Sequence, residues 1–137
     1  EAKGASLWAG ERVTTEIPCT IEAAALCKMA ERGQITGGLL DGPLAFDNAI
    51  DPEAARIKGI GGPVAGHGQI LVVPDLEAGN MLAKNLIFLS RADAAGIVLG
   101  ARVPIILTSR ADSVRTRMAS CAVAAIYANA LRRKAGV

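Results

Sequence analysis

Ser109, Arg110 and Asp112 stand close together in the stretch Thr108-Ser109-Arg110-Ala111-Asp112, directly after the apolar run 104–107. A serine hydroxyl donates or accepts a hydrogen bond, and an arginine presents a planar fork matched to phosphate oxygens. An aspartate offers a carboxylate that accepts protons or caps a helix. The trio therefore reads either as an anion-handling site or as a capped helix start with a solvated Arg110. A second stretch, Pro74-Asp75-Leu76-Glu77-Ala78-Gly79-Asn80, also follows an apolar run. Gly79 and Asn80 there read as a turn whose backbone could approach an anionic ligand at the start of a helix. The alternative is an ordinary strand-to-helix connection capped by Asn80. His67 is the lone histidine, set in a glycine-rich loop without a Cys or acidic partner at ligand spacing, and reads as a loop residue. Cys19, Cys27 and Cys121 form no CxxC pair, and Cys27 and Cys121 fall on apolar helix faces, as small hydrophobes do. The Asp41-Gly42-Pro43 and Asp47-Asn48 pieces read first as turn makers, with a place lining a cleft as the alternative.

The elements that must position these residues alternate between strand and helix. Residues 5–9 read as a short strand. Thr20 is a plausible N-cap for a helix over 20–32, stopped by Gly33. A short apolar run at 37–43 closes on turn residues. Asp51-Pro52-Glu53 marks a helix start with proline at the first helical position, and 59–68 is loop. Residues 70–73, Ile-Leu-Val-Val, predict a strand buried on both faces. A helix over about 81–91 follows, then apolar runs at 95–99 and 104–107. A long helix from Asp112 to about Lys134 has Val114, Met118, Cys121, Ala125 and Ala128 as its apolar face. Arg132, Arg133 and Lys134 end it, where the helix dipole favours cations. Buried-type strands separated by helices predict an α/β fold with a three-layer, mostly parallel sheet.

Composition removes several classes of function. With 137 residues, 51% hydrophobic and 20% charged, the chain has the makings of one compact unit that buries about two-thirds of its surface. No apolar run approaches the ~20 residues of a membrane span, so no membrane partner is expected. A net charge of +2 with 3% aromatic residues points away from nucleic acid. Unpaired cysteines fit a reducing, cytoplasmic location. Because the first residue is Glu1 rather than Met, the chain reads as a piece of a longer polypeptide.

Three blocks taken together carry a resemblance: Asp41-Gly42-Pro43-Leu44-Ala45-Phe46-Asp47-Asn48-Ala49, then Val73-Pro74-Asp75 through Gly79-Asn80, and lastly residues 104–112. In this order, over nearly the whole chain, they resemble the phosphate acetyltransferase and phosphate butyryltransferase family. The resemblance implies an isocitrate/isopropylmalate dehydrogenase-like architecture, with two α/β domains around a deep cleft, assembled as homodimers. It implies reversible transfer of an acetyl or butyryl group between acyl phosphate, such as acetyl phosphate, and coenzyme A. Coenzyme A is then a substrate, and no cofactor or metal is called for. Residues 1–137 would be the C-terminal portion of such an enzyme: about 1–100 its second domain, and about 101–137 elements that return to the first. The N-terminal half would be the missing partner.

Carried over by motif, Ser109 and Arg110 match the family's Ser-Arg pair, with Arg110 on phosphate and Ser109 near the reacting thiol or carbonyl. Gly79 and Asn80 match its Gly-Asn turn and would bind substrate. The family's proposed base is an aspartate about two helical turns beyond the pair, and this chain has Arg115-Thr116-Arg117 there. Asp112 is the nearest replacement, and it also fits a helix cap. Two rival readings remain. A decarboxylating dehydrogenase of the same architecture needs clustered aspartates, whereas Asp41, Asp47, Asp75, Asp93 and Asp112 are scattered. A non-catalytic fragment that dimerises or binds coenzyme A, inactive without its N-terminal half, is the other.

Overall fold

The computed structural model describes residues 1–135. Three strands form one parallel sheet in the order β2-β1-β3: β1 Ala2–Leu7, β2 Gly38–Leu44 and β3 Ile70–Val72. Helices α1 Pro18–Glu31, α2 Phe46–Ile50, α3 Pro52–Ile57, α4 Leu76–Phe88 and α5 Val114–Ala135 complete the chain. The α/β class with a parallel sheet agrees with the sequence. The chain divides into two compact units, Glu1–Met81 and Leu82–Val137, where composition alone suggested one.

The first unit holds the sheet. β1 lies in the middle, pairing Ala2 to Ala5 with Gly38 to Asp41 on one side and Gly4 to Ser6 with Ile70 to Val72 on the other. Its small residues Gly4, Ala5 and Ser6 are buried, and the strand starts three residues and ends two residues earlier than the apolar pattern suggested. The core gathers around Ala5, Leu7, Leu44, Ala49, Ala55 and Val64.

Helix ends in this unit follow local chemistry. α1 starts with Pro18 at its first position, and its N-cap is Ile17 rather than Thr20. The buried Thr20 hydroxyl instead ties the preceding loop by bonding the Thr14 backbone. α1 stops where expected: Gly33, at φ +73°, donates to the Ala30 carbonyl and Gln34 to that of Met29. This left-handed closure costs a glycine little. Asp51 caps α3, accepting from the N–H groups of Glu53 and Ala54.

The predicted strand at 70–73 is shorter and more open than the sequence suggested. Ile70 and Val72 remain 54% and 41% exposed, because β3 is an edge strand, covered by no neighbour beyond β1.

The second unit departs furthest from expectation. The apolar runs 95–99 and 104–107 join no sheet; they meet only in one antiparallel bridge between Val98 and Ile105. Gly96, Gly100 and Pro104 interrupt them, and glycine and proline weaken a ladder. Leu99, Ile105, Ile106 and Leu107 stay exposed. α5 also presents a different face: Ser120 and Ala124 are buried, whereas Val114 and Met118 are 76% and 65% exposed and Cys121 is exposed. The small side chains admit the neighbouring loop closely. The Ser120 hydroxyl accepts from the Gly96 N–H at 3.0 Å and donates to the Thr116 carbonyl at 2.8 Å. Arg132, Arg133 and Lys134 occupy the last turn of α5, as expected.

Candidate active site

A tight turn brings Ser109, Arg110 and Asp112 together. The Asp112 N–H donates to the Ser109 carbonyl at 3.1 Å. In return the Asp112 carboxylate, through Oδ2, accepts from the Ser109 N–H at 2.7 Å. The Ser109 hydroxyl oxygen accepts from the Ala111 N–H at 3.4 Å, which leaves its own proton free to donate. Asp112 therefore closes the turn and is not the cap of α5. That cap is Ser113, whose Oγ accepts from the Thr116 N–H at 3.1 Å and whose carbonyl accepts from Arg117. The reason is spacing: α5 begins at Val114, one residue after Ser113.

The turn's charges are arranged asymmetrically. Asp112 is half-buried and engaged with backbone, while Arg110 is exposed. Arg115 is spent on Asp93 at 2.7 Å, an ion pair open to solvent. Arg117 reaches back, its Nη2 donating to the Arg110 carbonyl at 3.4 Å. Among the described residues no carboxylate lies within ion-pair distance of Arg110 or Arg117. An exposed guanidinium on the same turn as a hydroxyl and a carboxylate is the equipment to bind an oxyanion and move a proton.

Gly79 and Asn80 lie in the first unit, and their turn reading is corrected. α4 begins at Leu76, so both fall inside the helix. Asp75 is the cap: its Oδ1 accepts from the Ala78 N–H at 2.7 Å, and its carbonyl accepts from the Gly79 N–H at 3.1 Å. The Gly79 N–H is thus committed to the helix. A Cβ at Gly79 would lie 2.9 Å from Val73 Cγ2, so the glycine lets α4 pack closely on the end of the strand region. Asn80 is exposed on the second turn, where its side chain, rather than its backbone, is the group open to a ligand. An aspartate between Pro74 and a run of helix formers was the available signal for this earlier start.

The remaining residues singled out by sequence divide between structural ties and an open groove. A cavity of about 640 Å³ lies in the first unit, lined by Cys27, Asp41, Thr36, Leu40 and Val64 among others, and by none of Gly79, Asn80, Ser109, Arg110 or Asp112. Asp41 thus does border a groove. The Cys27 thiol contacts the Gly42 carbonyl at 3.7 Å, and burial, then Asp41 and Glu31, push its pKa up. Such a thiol is poorly suited to nucleophilic work. His67 is an exposed loop residue.

Asp47 and Asn48 belong to a polar tie that sequence reasoning missed. Fully buried Asn48 donates to Glu11, and Lys58 bonds Glu11 at 3.0 Å and Asp47 at 2.9 Å. Among the described residues Asn48 Oδ1 is buried without a hydrogen-bond partner. The Lys58 hydrogen bond holds the Asp47 carboxyl below its ordinary pKa, and Asp47, then Glu11, raise that of Lys58. These residues span 47 positions, and no local pattern announces such a pairing.

Known proteins contain a segment similar to this chain. A phosphate acetyltransferase from Rhizobium meliloti is 80% identical over all 137 residues, which cover 43% of that protein. A phosphate butyryltransferase from Clostridium beijerinckii is 48% identical over 86% of this chain and 39% of its own. Among solved structures, a branched-chain phosphotransacylase from Enterococcus faecalis superposes with a TM-score of 0.76 at 32% identity, covering 90% of this chain and 45% of that one. The EutD phosphotransacetylase from Staphylococcus aureus gives 0.77 at 27% identity, over 93% and 40%. The chain therefore spans less than half the length of these relatives. The family model described as phosphate acetyl/butaryl transferase matches residues 3–125, and the chain belongs to that family.

Proposed function

We propose that this chain is part of a phosphate acyltransferase that moves an acetyl or butyryl group reversibly between acyl phosphate and coenzyme A. The observation that carries the proposal is the 109–112 turn, in which Arg110, exposed and among the described residues without a carboxylate at ion-pair distance, shares four residues with a hydroxyl whose proton is free. In the thioester-forming direction the coenzyme A sulfur attacks the acyl carbonyl and the carbon–oxygen bond to phosphate breaks. Arg110 neutralises the charge growing on the departing phosphate, and Ser109 donates to the carbonyl oxygen or the thiol region.

A thiol near pKa 8.5 is only a few per cent ionised at neutral pH, so removing its proton assists attack. Asp112 Oδ2 is held by the Ser109 N–H, and Oδ1 is the oxygen open to receive that proton. Asn80, on the exposed side of α4, would contact substrate through its side-chain amide. Acyl phosphate is already activated, and placing both substrates together contributes much of the remaining acceleration. The reaction needs no cofactor; coenzyme A and phosphate are the small-molecule partners.

The exposed apolar residues Leu99, Ile106, Leu107, Val114 and Met118 support a larger assembly, since patches of this kind are normally covered. In this reading the covering surface belongs to an N-terminal half of the same protein. The whole enzyme would have the isocitrate/isopropylmalate dehydrogenase-like two-domain form and act as a homodimer in the cytoplasm. Among the described residues no helix is long and apolar enough to cross a membrane.

The deciding experiment follows thiol loss with acetyl phosphate and coenzyme A, using a full-length protein carrying this sequence alongside the 137-residue chain. Turnover in the full-length protein alone is expected. No turnover in either would overturn the proposal, and activity of the short chain would remove the need for the second half of the cleft.

A further inference from the structure

Two guanidinium groups, rather than one, flank the 109–112 turn without a counterion. Arg117 sits one turn into α5 and folds back, so that its Nη2 meets the Arg110 carbonyl at 3.4 Å. The neighbouring acids are already engaged. Asp93 holds Arg115 at 2.7 Å, and the Asp112 carboxylate accepts from the Ser109 N–H. Arg110 and Arg117 are both exposed, and among the described residues neither has a carboxylate within ion-pair distance.

A single guanidinium fork satisfies one edge of a phosphate. A phosphate dianion presents further oxygens and a second charge, and Arg117 brings a second guanidinium to the turn that carries Arg110. The long bond to the Arg110 carbonyl uses one of the five Arg117 N–H donors and directs the side chain toward the turn, leaving the rest for a ligand.

We infer that Arg117 is a second phosphate-binding residue, which acts with Arg110 to grip phosphoryl oxygens of a substrate. The inference rests on the acyltransferase reading and adds to it a residue outside the Ser-Arg pair. Its ligand chemistry is the phosphate group, supplied either by inorganic or acyl phosphate or by the phosphates of coenzyme A.

The test uses steady-state kinetics in the acyl-phosphate-forming direction on a full-length protein carrying this sequence, comparing wild type, Arg117→Ala and Arg117→Gln. Gln removes the charge and keeps a donor for the Arg110 carbonyl. Both variants are expected to raise one KM about tenfold, the size of a lost charged hydrogen bond, with kcat within threefold and the melting temperature unchanged. A rise for phosphate alone assigns the transferring phosphate. A rise for acetyl-CoA that disappears with acetyl-dephospho-CoA assigns the coenzyme's 3′-phosphate, and a rise that persists assigns its pyrophosphate. Values of KM within twofold of wild type in Arg117→Ala, or wild-type behaviour restored by Arg117→Gln, would overturn the inference and leave Arg117 as a structural brace. An inactive wild type would remove the acyltransferase reading and this inference together, whereas an active wild type with unmoved variants removes the inference alone.

Discussion

The two units of this chain divide the work between them. Glu1–Met81 contains the sheet and nearly all the buried apolar side chains, Leu44 and Val64 among them. Leu82–Val137 buries Ala124 and Ser120 and leaves Leu99, Leu107, Val114 and Met118 open. Yet the proposed Ser109–Arg110–Asp112 site stands in the second, less packed unit, held by short-range hydrogen bonds within residues 109–117. A scaffold needs a core, while a turn that binds an anion needs its donors aimed outward. The contrast also makes the second unit the place where the proposed covering surface can be tested.

The sharpest way to break the contrast is to remove side chains from each unit. Leu44→Ala, at a site 2% exposed, is expected to cost about 2–5 kcal/mol in urea unfolding. Met118→Ala should cost less than about 0.5 kcal/mol in the 137-residue chain and at least about 1 kcal/mol in a full-length protein that covers the site. Equal, small losses at Met118 in both would remove the covering surface from the account.

A smaller effect distinguishes chemistry from scaffolding at Asp112. Asp112→Asn keeps an oxygen to accept from the Ser109 N–H, so the melting temperature should hardly move. Turnover in the full-length protein should fall at least about 10²-fold, the lower end for a lost acid–base group. If melting drops and turnover stays, Asp112 only shapes the turn.

The weakest expected effect belongs to the first unit's polar tie. The Asp47 carboxyl is held low by Lys58, so its contribution is present above the unfolded carboxylate pKa of about 4 and is lost as pH falls through the folded value. Lys58 is raised, so its contribution is complete below about 10.4 and is lost as pH rises through the folded value. The melting-temperature gap between wild type and Lys58→Met should therefore be level from about pH 5 to 10 and close at both ends. A gap independent of pH would show that the tie acts through packing alone.

What could be read in advance followed from local rules. Asp51-Pro52 announced α3 and Gly33 ended α1, because caps and left-handed glycines are decided by neighbours in sequence, while the apolar run at 37–43 showed only its closing turn residues and not that it is β2. The Ser109–Asp112 cluster was equally visible, since four residues suffice to build it. Gly79-Asn80 misled because a glycine that normally punctuates a turn here serves close packing against Val73. The runs at 95–99 and 104–107 misled because apolar content predicts burial, whereas their interrupting Gly96, Gly100 and Pro104 leave them outside any ladder with Leu99 and Leu107 exposed. The same reliance on apolar content rotated the expected face of α5 away from Ser120 and Ala124. Glu11, Asn48 and Lys58 were unreadable for another reason: their meeting depends on where β1, α2 and α3 come to rest.

The central claim is that the Arg110 guanidinium stabilises the phosphate as it leaves or attacks. Its most direct measurement is kcat/KM for Arg110→Ala in a full-length protein carrying this sequence, with the melting temperature recorded beside it. The account predicts a fall of at least about 10²-fold at constant stability. A variant within twofold of wild type would contradict it.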